Sequence, residues 1–164
     1  MEINLQPFIK DDFDRLISWI PSEKELVQFA GPLFTYPLTT DQLDGYIKNR
    51  KLQPKKIVIV ESNQVIGHCE LNFSYNLPCL SRILIGDTHY RGKGLGKQLI
   101  SIMIEEILKV TPTHAVELRV YGWNINAIKL YEKQGFAIQP DKTSTFKFRE
   151  DEIWDSLYMI KNLS

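Results

Sequence analysis

The segment HYRGKGLGKQLI, His89 to Ile100, sets Gly92, Gly94 and Gly96 at alternate positions directly before an apolar stretch with helical spacing. Glycine inside a helix or strand costs roughly 0.5–1 kcal/mol relative to alanine, so three in alternation mark a backbone with a task of its own. Downstream, Leu95, Leu99, Met103 and Ile107, flanked by Ile100 and Ile104, draw a helix face broad enough to lie on a sheet, and Pro112 closes it. Upstream, the chain from about Leu80 to Asp87 reads as a strand. Strand, glycine turn and helix start together form an anion-binding device. The first helical amides lack internal partners, and the helix end carries about half a positive charge.

Three phosphate-binding devices share that plan, and spacing separates them. A nucleotide P-loop needs GxxxxGK followed by Ser or Thr; here Arg91 stands at the first glycine position and Gln98 at the hydroxyl position. A dinucleotide fingerprint needs GxGxxG after a first strand, whereas Lys97 fills the third glycine position and the turn lies past residue 90. The pattern that remains is Arg91-x-x-Gly94-x-Gly96, with Lys93 and Lys97 adding positive charge.

Strands and helices alternate around this centre, which predicts a layered α/β sheet. Residues 2–8 alternate as a strand, and Phe13, Leu16, Ile17 and Ile20 then recur at helical spacing until Pro21. Ser22 can cap a second helix through about Phe29, and Thr39 with Gln42 forms a capping box for a third, up to about Lys51. KIVIVES and QVIGHCELNFSY read as a hairpin turning at Ser62-Asn63. A strand over Ala115–Tyr121, a helix over about Asn126–Gln134 stopped by Gly135, a strand at Phe136–Gln139 and a last one around Ile153–Ile160 complete the pattern. The polar run PDKTSTFKFRED reads as a mobile loop or a plain hairpin connection.

The chain's 164 residues suit a single domain, 1–164, with a core that needs no metal or disulfide. Its 20 basic and 20 acidic residues balance, which argues against a dedicated nucleic-acid or anionic-membrane partner. Cys69 and Cys79 with the scattered His68, His89 and His114 lack metal-ligand spacing, so no metal is expected. The absence of a leader pattern or of a long apolar run predicts a cytoplasmic protein.

The glycine pattern resembles the pyrophosphate-binding signature of the GNAT N-acetyltransferases, and a second stretch, Asn124-x-x-Ala127-x-x-Leu130-Tyr131-x-x-x-Gly135-Phe136, resembles the same family. The resemblance is specific from Ile83 to Phe136. The LQPF start, Trp19 in the first helix and FTYPLT add a general likeness to the subgroup of ribosomal-protein and small-molecule acetyltransferases. It implies a mixed, mostly antiparallel sheet of six to seven strands flanked by helices. It also implies acetyl-coenzyme A as cosubstrate, held through Arg91, Gly92, Lys93, Gly94, Leu95 and Gly96 at the diphosphate and through Leu84, Ile85 and Gly86 along the pantetheine arm. Asn124 would contact the same cofactor, and the Tyr131 phenol would lie beside its sulfur. Many relatives carry proline just after the central strand, where this chain has Asp87-Thr88-His89, so the local turn differs.

Acetyl transfer needs a neutral amine, a polarised carbonyl and a proton for the leaving thiolate. Tyr131 is the expected acid, and amides near a bulge at Ile85–Asp87 are the expected oxyanion donors. Period-two geometry sends His68, Glu70 and Asn72 to one face, where Glu70 is favoured as base over His68 and Asp87. Cys69 and Cys79 are expected to be packing residues rather than nucleophiles. The acceptor is expected to be a primary amine of a small molecule or a protein amino terminus, and a homodimer suits the resemblance. The alternative is a noncatalytic module that binds acyl-coenzyme A.

Overall fold

The computed structural model describes residues 1–163 and forms from them one eight-stranded sheet with helices on its faces. Strand β1 (Ile3–Pro7) leads through a short 3-10 turn to helices α1 (Phe13–Ser18), α2 (Glu23–Ala30) and α3 (Thr40–Lys48). Strands β2 (Leu52–Ile59), β3 (Val65–Asn72) and β4 (Cys79–Ile85) follow, then α4 (Leu95–Val110) and β5 (Ala115–Tyr121). Helix α5 (Ile125–Lys133), β6 (Ala137–Ile138), β7 (Ser144–Arg149) and β8 (Glu152–Asn162) end the chain. The order across the sheet is β1-β2-β3-β4-β5-β8-β6, with β7 also on β8. Every neighbouring pair is antiparallel except β4 and β5.

Local chemistry sets the helix starts. The Ser22 hydroxyl accepts the Glu25 amide at 3.2 Å and the Thr39 hydroxyl accepts the Gln42 amide at 3.3 Å, caps worth about 1 kcal/mol each. Gln42 does not complete a capping box. Its side chain binds the Thr35 amide and the Thr35 and Pro37 carbonyls, tying down the loop before the helix.

The sheet divides two cores. Leu95, Leu99, Met103 and Ile107 of α4 bury their predicted face against Ile57, Ile66, Leu118 and Met159 on one side. On the other side α1, α2 and α3 close over β2 to β4 with Phe13, Leu16, Leu26 and Leu43. No helix among the described residues is long and apolar enough to cross a membrane.

The eighth strand lies in the polar run read as a mobile loop or a hairpin connection, and it forms one arm of a hairpin. β7 pairs with β8 in the register Thr145↔Asp155 and Phe146↔Trp154, and Phe148 stacks on Trp154 at 4.6 Å. Aromatic residues spaced by two on a hairpin outweigh the polar composition between them.

Candidate active site at the fork between two strands

The parallel contact between β4 and β5 is brief. Only Cys79↔Glu117 and Leu80↔Leu118 are paired, and beyond them the two strands diverge into a fork. The cause sits on β4. Arg82 has φ +45°, and the β3 register slips there because Glu70 faces Ser81 while His68 faces Leu84. This is a β-bulge, which bends its strand and ends regular pairing. The bulge is thus at Arg82 and not at Ile85–Asp87, where the sequence was read to allow one.

The strand end behaves differently from expectation in a second way. The amides of Gly86 and Asp87 both donate to the Ile66 carbonyl, at 2.9 and 3.1 Å, so neither is an oxyanion donor. Leu84 is paired with His68, so of the expected trio only Ile85 turns its peptide toward the fork, and alternation sends Ile83 there too. The Ile85 carbonyl accepts Arg91 Nε at 2.8 Å. Gly86 is needed for packing. A Cβ there would collide with the Trp19 indole, which closes the α1 side of the fork.

The turn after β4 is tied by side chains. Asp87, the first residue of the stretch expected to turn differently, accepts the His89 amide at 3.0 Å and Gln64 Nε2 at 2.9 Å, and the Tyr90 hydroxyl reaches Gln64 Oε1 at 2.9 Å. Gly92 and Gly94 then take φ +69° and +77°, a conformation that side-chain-bearing residues avoid. No side chain caps α4, and among the described residues the amides of 92–97 find no acceptor. Arg91, Gly92, Lys93 and Gly94 are exposed, whereas the Leu95 side chain is buried, so only its amide faces outward.

Helix α5 packs on the start of α4 through Gly96. A Cβ at that position would stand 2.5 Å from Leu130 Cδ2, so the third glycine serves close approach between helices. Asn124 is the N-cap residue of α5, yet its side chain makes no capping bond and is free for another partner. Tyr131 is buried, packed edge-on to Phe136 at 6.1 Å, and its hydroxyl has no hydrogen-bond partner among the described residues. Burial pushes its phenol up to about 12.

Glu70, the expected base, is fully buried at 0% exposure. Its Oε1 accepts from the Tyr46 hydroxyl at 2.6 Å and its Oε2 from Arg82 Nη1 at 2.5 Å, so both oxygens are committed. Burial raises its carboxyl above the ordinary range, against the opposing pull of Arg82. The same-face prediction for His68, Glu70 and Asn72 holds, but α3 covers that face, and Glu70 serves to fasten the bulge. Since Tyr46 gives its proton to Glu70, His68 must donate from Nε2 to the Tyr46 oxygen at 3.1 Å, leaving Nδ1 without a partner. Burial also raises both cysteine thiols, Cys79 to about 12, which leaves them unreactive packing groups.

A carboxylate that sequence reading passed over stands on β5, one position before the last pair at the fork. Glu117 of β5 is 3% exposed, on the sheet face opposite α4. Its partners Arg119 and the Tyr158 hydroxyl lie further along β5 and β8, so the carboxylate leans toward the fork. The alternation Val116, Leu118, Val120 against Glu117, Arg119, Tyr121 was visible in the sequence, but the Arg119↔Tyr158 register was not.

Residues 16–136, from α1 to the start of β6, match the acetyltransferase (GNAT) family. The chain belongs to that family. Among solved members with this architecture, the spermidine N-acetyltransferase of Vibrio cholerae in complex with CoA and spermine superimposes with a TM-score of 0.78 at 17% identity, over 98% of this chain and 95% of that one. A structure of AAC(6')-Ib with ribostamycin and coenzyme A gives 0.75 at 18% identity, over 99% and 94%. In sequence, a probable spermine N(1)-acetyltransferase of Bacillus subtilis subsp. natto is 39% identical over 57 residues, which is 35% of this chain and 37% of that protein. The matched stretch therefore spans little more than a third of the curated relative. The eight-stranded, mostly antiparallel sheet agrees with the GNAT fold, with one strand more than the six to seven expected.

Proposed function

We propose that the protein transfers the acetyl group of acetyl-coenzyme A to a primary amine by direct attack within a ternary complex. One observation carries this reading: among the described residues the amides of 92–97 and the Tyr131 hydroxyl have no partner, and the helix that carries Tyr131 packs through Leu130 on Gly96 in the first turn of α4. The residues fit the cosubstrate. The amides from Arg91 to Gly96 suit a diphosphate, with Lys93 and Lys97 adding charge. The Ile85 peptide suits a pantetheine amide, which would compete with Arg91 for the carbonyl. Leu84 and Gly86 contribute by holding that strand end rather than by their own amides. Asn124 has an uncommitted side chain at the same mouth.

Tyr131 is assigned as the acid. A phenol near 12 keeps its proton throughout the physiological range and can give it to a thiolate whose conjugate acid lies near 8.5. Glu70 is assigned a positioning part, holding Arg82 and with it the bulge that opens the fork. The names of the relatives, acetyltransferases of spermine and spermidine, support a small-molecule amine as acceptor.

The test is calorimetric titration with acetyl-coenzyme A, followed by release of free thiol with a panel of amines. Binding with turnover supports the reading. Binding without turnover across the panel assigns the noncatalytic acyl-coenzyme A module, and no binding removes both.

A further inference from the structure

The sheet face opposite α4 is covered by α1 to α3 only over β2 to β4, and over β5 and β8 it holds a cavity of about 490 Å³. Tyr75, Asn76 and Leu77, from the β3–β4 connection, line one side, and Lys142 and Ser144, from the β6–β7 segment, line the other. The floor is Glu117, Arg119 and Tyr158. The volume lies within the range of small-ligand sites, about 300–1,000 Å³.

Two groups in this cavity are left wanting a partner. Glu117 Oε2 is taken by the Tyr158 hydroxyl, but Oε1, buried, has no hydrogen bond among the described residues. The Arg119 guanidinium stands 3.0 Å from it, close enough for charge attraction but without the alignment of a hydrogen bond, and its central carbon lies 3.8 Å from the Tyr75 ring centre. A buried acceptor without a donor costs free energy that a ligand N–H would recover. Across the cavity, Lys142 Nζ lies 5.1 Å from the centre of the Tyr158 ring and has no carboxylate partner among the described residues. The two ends therefore differ in kind, an unsatisfied carboxylate oxygen below and an uncompensated ammonium at the rim.

We propose that this cavity is the acceptor site and that it takes a small primary amine bearing an anionic group, its nitrogen at Glu117 and its anion at Lys142 and Arg119. The inference rests on the acetyl-transfer reading. Glu117 sits at the last paired position but one before the fork, so an amine held there reaches an acetyl group entering from the α4 side. The bound ammonium first yields a proton to the Glu117 carboxylate and becomes the neutral amine. Its lone pair then forms the bond to the acetyl carbon as the carbon–sulfur bond breaks, the second nitrogen proton leaves to solvent, and the thiolate takes the Tyr131 proton; solvent then reprotonates Tyr131 and accepts the proton held by Glu117. The products are the N-acetyl compound and free thiol. A purely cationic acceptor such as a polyamine would set one ammonium against Lys142 and Arg119.

Thiol release is measured with α-amino acids and dipeptides, with their carboxamides, and with spermidine, for the native protein and for Lys142→Glu and Glu117→Gln. Acids are expected to exceed their carboxamides at least about tenfold in kcat/KM, the worth of one charge-assisted contact. Lys142→Glu, at the exposed rim, should erase that preference through KM while acetyl-coenzyme A still binds. Glu117→Gln should lower kcat with the acids while acetyl-coenzyme A still binds. Turnover of spermidine or carboxamides as good as that of the acids, or of none of the acids while acetyl-coenzyme A binds, overturns the assignment of acceptor class. Loss of acetyl-coenzyme A binding by the native protein would instead strike the transfer reading itself.

Discussion

Leu130 and Gly96 interlock: a methyl group added at Gly96 would stand 2.5 Å from Leu130 Cδ2. That contact couples the cofactor turn to the helix carrying the proposed acid. Alanine is a better helix former than glycine by about 1 kcal/mol, but overpacking costs roughly 1–3 kcal/mol. Gly96→Ala is therefore expected to be neutral or destabilising alone and stabilising in a Leu130→Ala background. A double-mutant cycle by urea unfolding should return a coupling above about 1 kcal/mol, and additive effects would deny the contact.

Tyr131→Phe removes one hydroxyl that has no protein partner, so the fold should keep its stability. Turnover should fall by about a hundredfold or more while the dissociation constant for acetyl-coenzyme A stays within a factor of about two. Because burial holds the phenol near 12, the native rate should show no alkaline decline from this group below about pH 10. Undiminished turnover in the variant would remove Tyr131 from the chemistry.

Breaking the Glu70–Arg82 pair should cost stability more than any change at the fork itself. Glu70→Gln leaves a mostly buried guanidinium without its counter-charge, a loss of about 3–5 kcal/mol. Glu70→Gln combined with Arg82→Met removes both charges and should recover part of it. Chemical unfolding of the single and double variants measures this, and a double variant no more stable than the single one would show that Arg82 is not the group left stranded.

His68 predicts a pH dependence of stability. Burial, helped by the charge of Arg82, lowers its imidazole to about 3. The unfolded chain takes up that proton near 6.5, so between these values it binds more protons than the folded one. Stability contributed by neutral His68 is complete above about pH 6.5 and declines as pH falls toward 3, by up to about 1.4 kcal/mol per unit. Unfolding free energies of the native protein and His68→Gln between about pH 7 and 5 should converge as the solution is acidified, and parallel curves would count against it.

The elements to which the donor side is assigned were legible in the chain because they depend on local spacing. The glycines, the α4 face and the Asn124 to Phe136 motif each lie within one or two turns of their partners. What escaped reading depends on contacts between distant strands. Period two placed Glu70 with His68 correctly, but it carries no information on whether α3 or solvent lies over that face. The bulge at Arg82 leaves no mark of its own, since arginine is not a residue that favours φ +45°; Glu70, itself held by the Tyr46 hydroxyl, accepts a hydrogen bond from the Arg82 side chain there. Glu117 and Tyr158 meet through a β5–β8 register fixed 41 residues apart. The polar run around β7 could not be told as loop or hairpin, because Phe146, Phe148 and Trp154 form their cluster only after the hairpin closes.

The fork joins two kinds of recognition. On the α4 side the proposed diphosphate contacts are mainly peptide amides, whose identity no substitution alters so long as the two left-handed glycines remain. On the opposite side everything within reach is a side chain on β5, β8 or a connecting loop, each exchangeable one at a time. If the proposed transfer holds, a recipient's seat built from such exchangeable side chains can be rewritten while the donor's remains untouched.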